Sequence, residues 1–376
     1  MKPTRWRVFA AFLLAFALMA AACGDDDSST TTTAASGGDD GTTTTAGSSE
    51  ETLKIAFVYV GPTSDKGWSW AHEEGAKYVE ANMPNVEIQR LESIPEGADS
   101  QRVFEDLAAD GADLVFGTSF GYMDPMLEAA ANYPDTVFMH ATGYKSSDNM
   151  TNYFGAAEEG RYLAGMAAGA ATETDLIGYV AAFGIPEVVR GINAFTLGAR
   201  EVNPNAQVQV VWTSTWFDPP TEGDAAQSLL DAGADVIAMH QDSPAPGQAA
   251  EAAGAKWSGY NADMSEFAPN AWLTAPIWNW NDYYLTTAEA VRAGTWTPDP
   301  VYGNMADGMV DLAAYGDSVP QDVRDLIDER MAEVIAGTFA VLPDPIVNQD
   351  GVEQPLGDIF TMNYFVEGVI GTIPAA

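Results

Sequence analysis

Residues 117–121 read GTSFG, the G-x-S-x-G spacing of a nucleophile elbow, placed between an apolar strand-like run and a helical one. Ser119 would attack an ester there, with His240 as its base and Asp218 or Asp235 orienting the imidazole. The surroundings argue against that chemistry. No glycine-rich oxyanion loop precedes the motif, only two strands come before it, and the matching loop later in the chain, HQDSP, keeps the turn but not the pattern. The three histidines, His72, His140 and His240, are scattered, and HEEGA at 72–76 lacks the second histidine of a zinc-binding H-E-x-x-H. No phosphate loop of the Walker type occurs. With 54 acidic residues in the chain, paired carboxylates say nothing about glycoside hydrolysis. No enzymatic activity, no cofactor and no metal are therefore expected.

The aromatic residues point to binding instead. GPTSDKGWSWAHEEG (61–75) follows the apolar run IAFVYV and sets Trp68 and Trp70 in a glycine-punctuated turn. Phe120, Tyr122, Phe183, Trp216 and Phe217 occupy similar strand-end positions, interleaved with Ser64, Asp65, Ser119, Glu187, Asp218 and Asp242. Aromatic faces with a few carboxylates and hydroxyls between them suit a flat, uncharged ring with polar edges. A highly anionic ligand would call for basic side chains, and Lys66 alone is basic in these loops. Structural roles stay open beside this one. Trp68 falls on the inward face of its helix, three residues before Ala71, and Trp216 can pack on the DPP that follows it. Trp70 shares a side with Glu74 and Lys77 and reads as a partly exposed indole at a helix start.

Positioning such residues requires a particular set of elements. From residue 52 the chain alternates β-rich runs (LKIAFVYV, NVEIQRLESI, DLVFGTS, DTVFMHATG) with segments of helical period. Strands separated by helices imply parallel pairing with right-handed crossovers, an α/β fold. The plan recurs about 120 residues on, where GDAAQSLLDAGADVIAMHQDS parallels GADSQRVFEDLAADGADLVFGTS. Two similar halves predict two Rossmann-like lobes. Ligands of open parallel sheets bind outside the carboxyl ends of the strands. Each half thus offers three loops: 61–68, 94–98 and 117–122, then 183–189, 215–224 and 240–244. If the lobes face each other, all six border one cleft. APIWNWNDYY at 275–284 comes after both halves and is expected chiefly to pack a crossover between them.

Composition sets the address. The first 22 residues carry Lys2, Arg5 and Arg7 before the apolar stretch Val8–Ala22, too short for a membrane span and shaped as a signal peptide. The only cysteine, Cys23, follows directly in AAAC, the setting of a lipidated N-terminus, although Ala20 stands where the lipobox usually has leucine. Residues 23–51 lack large apolar side chains and read as a disordered tether. A formal net charge of −38 repels phosphate backbones and argues against nucleic acid as a partner.

Together, IAFVYVGPTSDKGWSWAHEEG, GYMDPMLEAAANYPDTVFMHATGYK, EEGRYLAGMAAG, GIPEVVRGINAFTLGAR and TSTWFDPPTEGDAAQSLLDAGADVI resemble the basic-membrane-protein family of ABC-transporter substrate-binding lipoproteins, over about residues 52 to 340. The likeness is greatest to its purine-base binders. It implies a type I periplasmic-binding fold: a first lobe of 52–155 plus about 272–305, a second of 156–271 plus about 306–345, a multi-strand hinge, and 346–376 as an extension packed on the lobes. It further implies that Trp68 and Trp216 stack on opposite faces of an adenine-like purine and that Asp242 and Glu187 accept hydrogen bonds from its edges, with Phe183, Ser119 and Phe120 nearby. Asp263 in NADMS stands where nucleoside binders engage ribose, in a different sequence setting. The implied partners are a small-molecule purine, a membrane ABC permease and a lipid anchor at Cys23 on the extracytoplasmic face, for a monomeric receptor. Nucleoside or sugar receptors of the same fold are the alternatives.

Overall fold

The computed structural model describes residues 52–374; the signal-like segment 1–22, Cys23 and the tether expected over 23–51 lie outside the described residues. The run LKIAFVY forms β1 (Leu53–Tyr59), buried at every position except Lys54, the pattern of a strand covered on both faces. The chain continues through α1 (Trp68–Asn82), β2 (Val86–Leu91), α2 (Ala98–Ala109), β3 (Leu114–Thr118), α3 (Met123–Asn132), β4 (Val137–Ala141) and β5 (Met150–Gly155). The second half runs α4 (Ala157–Ala171), β6 (Leu176–Ala181), α5 (Pro186–Val202), β7 (Gln207–Trp212), α6 (Pro219–Asp231), β8 (Val236–His240), α7 (Ala245–Ala253), β9 (Lys256–Ser258) and β10 (Trp272–Thr274).

The two halves build two parallel sheets of one plan. The first has the order β2-β1-β3-β4-β5, and the second has β7-β6-β8-β9-β10. Each is a doubly wound sheet whose strand order reverses beside its first strand, so each has its crevice at the carboxyl ends there. Ile55 pairs with Leu114 across the first of these junctions and Ile177 with Val236 across the second.

The remaining chain joins the lobes. β11 (Pro276–Trp278) leads to α8 (Asn281–Arg292), which packs on α1, and to β12 (Val301–Gly303), which adds to the first sheet beside β5. The chain then returns through β13 (Val310–Leu312), antiparallel to β11, to α9 (Gln321–Ile335), which packs on α4. β10 hydrogen-bonds to β9 in the second sheet, so the return to the first lobe begins after Thr274. The sequence hides this because WLT, a three-residue strand, merges with the aromatic segment behind it. That segment lies at the crossover: Trp278, Trp280 and Tyr284 are buried, with Trp278 and Trp280 stacked at 4.9 Å.

Beyond α9, β14 (Ile346–Val347) and β15 (Glu353–Gln354) form a small hairpin, and β16 (Val369–Ile370) extends the second sheet beside β7. Among the described residues no helix is long and apolar enough to cross a membrane.

Candidate functional site

The carboxyl ends of the two sheets face one another across a narrow gap, a nearly closed cleft of about 20 Å³. Its walls are Val60, Trp68, Ser119, Phe120 and Thr142 from the first lobe and Glu187, Trp216, His240, Asp242, Tyr260 and Asn261 from the second. Of the residues singled out in the sequence, Trp68, Trp216, Asp242, Glu187, Ser119 and Phe120 are brought together here. Phe183 is not: its ring lies 4.8 Å from that of Trp216, on the side facing a separate surface cavity, so it backs the indole and does not line the gap. Asp263 is exposed and caps the backbone N–H of Ser265. The 94–98 loop also stops short of the gap, contributing only Glu96, which accepts from the Ser119 hydroxyl (2.5 Å) and the Gly121 N–H (2.8 Å).

Trp68 opens α1 immediately after Gly67. Its indole N–H donates to the Thr118 carbonyl at 2.7 Å, and its ring meets His72, Trp278 and Trp280 edge-on. Asp65 holds this turn by accepting from the N–H groups of Gly67 (2.8 Å), Ser69 (2.9 Å) and Trp70 (3.0 Å), the orphan donors of a helix start. The opposite indole, Trp216, sits in the loop after β7, and its N–H has no partner.

Four wall residues escaped the sequence reading, Val60 just after β1 among them. Thr142 follows β4, while Tyr260 and Asn261 follow β9, strands placed beside β3 and β8 by the sheet order. The HATG after the fourth strand was a usable signal; a three-residue β9 was not. Asn261 fixes the acid at the site, donating to Asp242 at 3.0 Å while accepting from the Trp278 indole at 2.9 Å. Tyr260 rests on the buried Arg161 guanidinium, 3.4 Å from its ring centre, and Arg161 in turn donates to the Met239 carbonyl.

The electrostatics favour neutral groups at the walls. Burial pushes Asp242 well above the usual carboxylate range, and the nearby Asp65 carboxylate pushes it further. Burial raises Asp65 to about 6, but three backbone donors favour its charge, so Asp242 holds the proton of the pair at neutral pH. Burial raises Glu187 to about 7. His240, 3.7 Å from Glu187, is driven down by burial and by Arg161 and Arg190, and stays neutral. No lysine or arginine stands among the walls; Lys66 turns away to Glu266 at 3.6 Å. Three polar wall atoms are buried without a partner: Thr142 Oγ1, Trp216 Nε1 and His240 Nδ1. Buried polar groups ordinarily find partners, so these are donors and acceptors available to a ligand.

Comparison with known proteins decides the family. The sequence model described as ABC transporter substrate-binding protein PnrA-like matches residues 52–337. The chain belongs to that family. It is 42% identical over 333 residues to a purine-binding protein of Brucella abortus, covering 86% of this chain and 95% of the relative. It is also 45% identical over 325 residues to a Haloferax volcanii protein provisionally named an ABC transporter glucose-binding protein, covering 86% and 82%. Among solved structures, an ABC transporter solute-binding protein from Conexibacter woesei aligns with a TM-score of 0.62 at 24% identity, over 77% of this chain and 98% of that one. One from Aeropyrum pernix aligns at 0.67 and 17%, over 76% and 92%. These likenesses establish the type I periplasmic-binding fold.

Members of the family are solute-binding proteins and not enzymes, and the geometry agrees at Ser119. Its hydroxyl donates to Glu96, Asp218 caps α6 by accepting from the Thr221 N–H, and Asp235 accepts from Thr172, Glu173 and Thr174. Neither aspartate accepts a hydrogen bond from His240, whose Nδ1 is unpartnered, so no triad forms.

Proposed function

We propose that this substrate-binding protein serves an ABC importer as a lipid-anchored receptor on the extracytoplasmic face, and that its ligand is an adenine-like purine base. The observation that carries the reading is the pairing of Trp68 from one lobe with Trp216 from the other across a single narrow gap. Two indoles offer stacking faces to a planar heterocycle. A carboxylic acid held neutral, as at Asp242, presents one donor and one acceptor side by side, the complement of adenine's amino group and adjacent ring nitrogen. The purine-binding name of the Brucella relative supports the same ligand class. Closure over the ring would strip water from it and stabilise the closed form by the difference in affinity between the two states. The permease would then read that closed shape.

The Haloferax relative's name favours a second reading, a hexose. Each sugar hydroxyl would need a partner, and several polar groups here are already committed, Ser119 to Glu96 and Asn261 to Asp242 and Trp278. Titration calorimetry of the full chain with adenine, adenosine and glucose tests the choice. Adenine should bind; glucose binding without adenine binding would replace the purine reading with the hexose one. The anchor is tested separately: Cys23→Ala should release the protein from membranes into the soluble fraction.

A further inference from the structure

We propose that the gap continues past Thr142 and Glu187 into a second chamber that receives an apolar substituent carried on the amino group of the bound purine. This rests on the purine reading above and extends it to a class of ligand, the N6-substituted adenines.

Phe120, Thr142 and Glu187 line both spaces, so the two meet at these residues. The second space is the larger, about 400 Å³ against about 20 Å³ for the gap. Tyr144, Phe154, Val301 and Tyr302 of the first lobe form much of its wall. Phe360, from the segment beyond the residues matched by the family model, closes part of the mouth with its ring 5.0 Å from that of Tyr302. Seven large apolar side chains stand exposed among the described residues, and the two aromatic ones, Tyr144 and Phe360, both belong to this chamber. Exposed aromatic surface gathered at a cavity mouth marks a place where apolar matter is received.

Several of the chamber's polar groups are engaged within the protein, and most of its wall is apolar. Arg190 and the Tyr302 hydroxyl both engage Glu158, at 3.3 Å and 2.8 Å, and the Asn152 amide donates to the Lys145 carbonyl at 3.4 Å. The Arg190 guanidinium is flanked by the rings of Phe154, Tyr302 and Phe360 at 5.5 to 5.8 Å. An aryl or branched alkyl group would bury apolar surface against the rings of Phe154, Tyr302 and Phe360. The junction suits such a ligand: a monosubstituted amino group keeps one N–H, which Asp242 can still accept beside the ring nitrogen while the substituent leaves on the other side, past Thr142 and Glu187.

The test is titration calorimetry of the full chain and its Tyr144→Ala/Phe360→Ala variant with adenine, N6-benzyladenine and adenosine. Both substitutions remove exposed rings, so the fold should survive them. N6-benzyladenine should bind the unsubstituted chain at least as tightly as adenine, and the double variant should weaken it about tenfold while moving adenine less than about twofold. Adenine binding without N6-benzyladenine binding overturns the chamber and leaves the purine reading intact. So does an N6-benzyladenine affinity indifferent to the double variant, or adenosine that binds more tightly than N6-benzyladenine and takes the loss in its place. If neither base binds, the purine reading fails and the chamber proposal with it.

Discussion

The two walls of the gap are made of the same residue type held in different ways. Trp68 is 9% exposed, its N–H is committed to a backbone carbonyl, and the rings of His72, Trp278 and Trp280 surround it. Trp216 is partly buried in a loop that turns at Ser214 with φ of 56°, has Phe183 at 4.8 Å and His240 at 6.2 Å, and leaves its N–H free. The carboxylates repeat the contrast: Asp65 is bound by three backbone donors at a helix start, Asp242 by one side-chain amide. The first wall is thus an extension of its lobe's core, while the second is set by fewer contacts. Under the proposed binding role, one face of the site would stand ready while the other adjusts on closure.

Replacing each indole is the strongest way to break that comparison. Trp68→Ala should lower stability by about 3–5 kcal/mol, as for other large buried aromatics, and abolish measurable purine binding. Trp216→Ala should weaken binding about tenfold or more and shift the melting temperature by less than about 2 °C. Equal losses of melting temperature in the two variants would show the walls to be equivalent. The next effect lies where the walls touch. A Cβ on Gly67 would come within 2.3 Å of the Asp242 carbonyl oxygen, a backbone atom of the opposite lobe that cannot swing aside. Gly67→Ala should therefore hold the lobes apart and cost about 100-fold in affinity with little change in unliganded stability. Small-angle scattering should report a ligand-independent open form, and full affinity in this variant would deny that the contact governs closure.

Acidity sharpens the contrast further. Burial lifts Glu187 on the second wall from its ordinary 4.5 to about 7. Between those pH values the folded protein keeps a proton that the unfolded chain has released. The contribution of this group to stability therefore falls as pH rises through the window, by up to about 1.4 kcal/mol per pH unit, and the penalty persists above it. Glu187→Gln should flatten that part of the melting-temperature profile; an unchanged profile would mean the carboxyl is better solvated than its burial implies. The smallest effect is expected at Ser119. Its hydroxyl is held by Glu96, so Ser119→Ala should alter purine affinity less than about twofold. Any hydrolysis of activated esters that this substitution abolished would contradict the binding role.

The duplicated plan was legible because it is written locally. Apolar runs such as IAFVY and DLVFG, and helices ending before GAD, depend on residues close in sequence, and the two sheets repeat one strand order accordingly. The loops carrying Trp68, Ser119, Phe120, Glu187, Trp216 and Asp242 could be nominated by the same rule about strand ends. Phe183 could not be excluded that way, because whether a loop aromatic faces the gap or backs its neighbour is a matter of a single side-chain direction. Nor could Tyr260 and Asn261 be included, since they follow a three-residue strand that no apolar run marks, whereas Thr142 was within reach of the same rule.

By itself, then, the sequence determined an acidic α/β protein of two like halves, with indoles at the strand ends and a family resemblance in ordered motifs. Those properties rest on hydrophobic period and spacing, which act over a few residues at a time. Only the tertiary structure decided that Gly67 meets Asp242, that Asp65 and Asp242 share one field, and that Phe360 reaches the mouth of a second chamber. Such contacts join segments far apart in the chain, and their distances follow from how two sheets pack across a hinge, which no local pattern encodes.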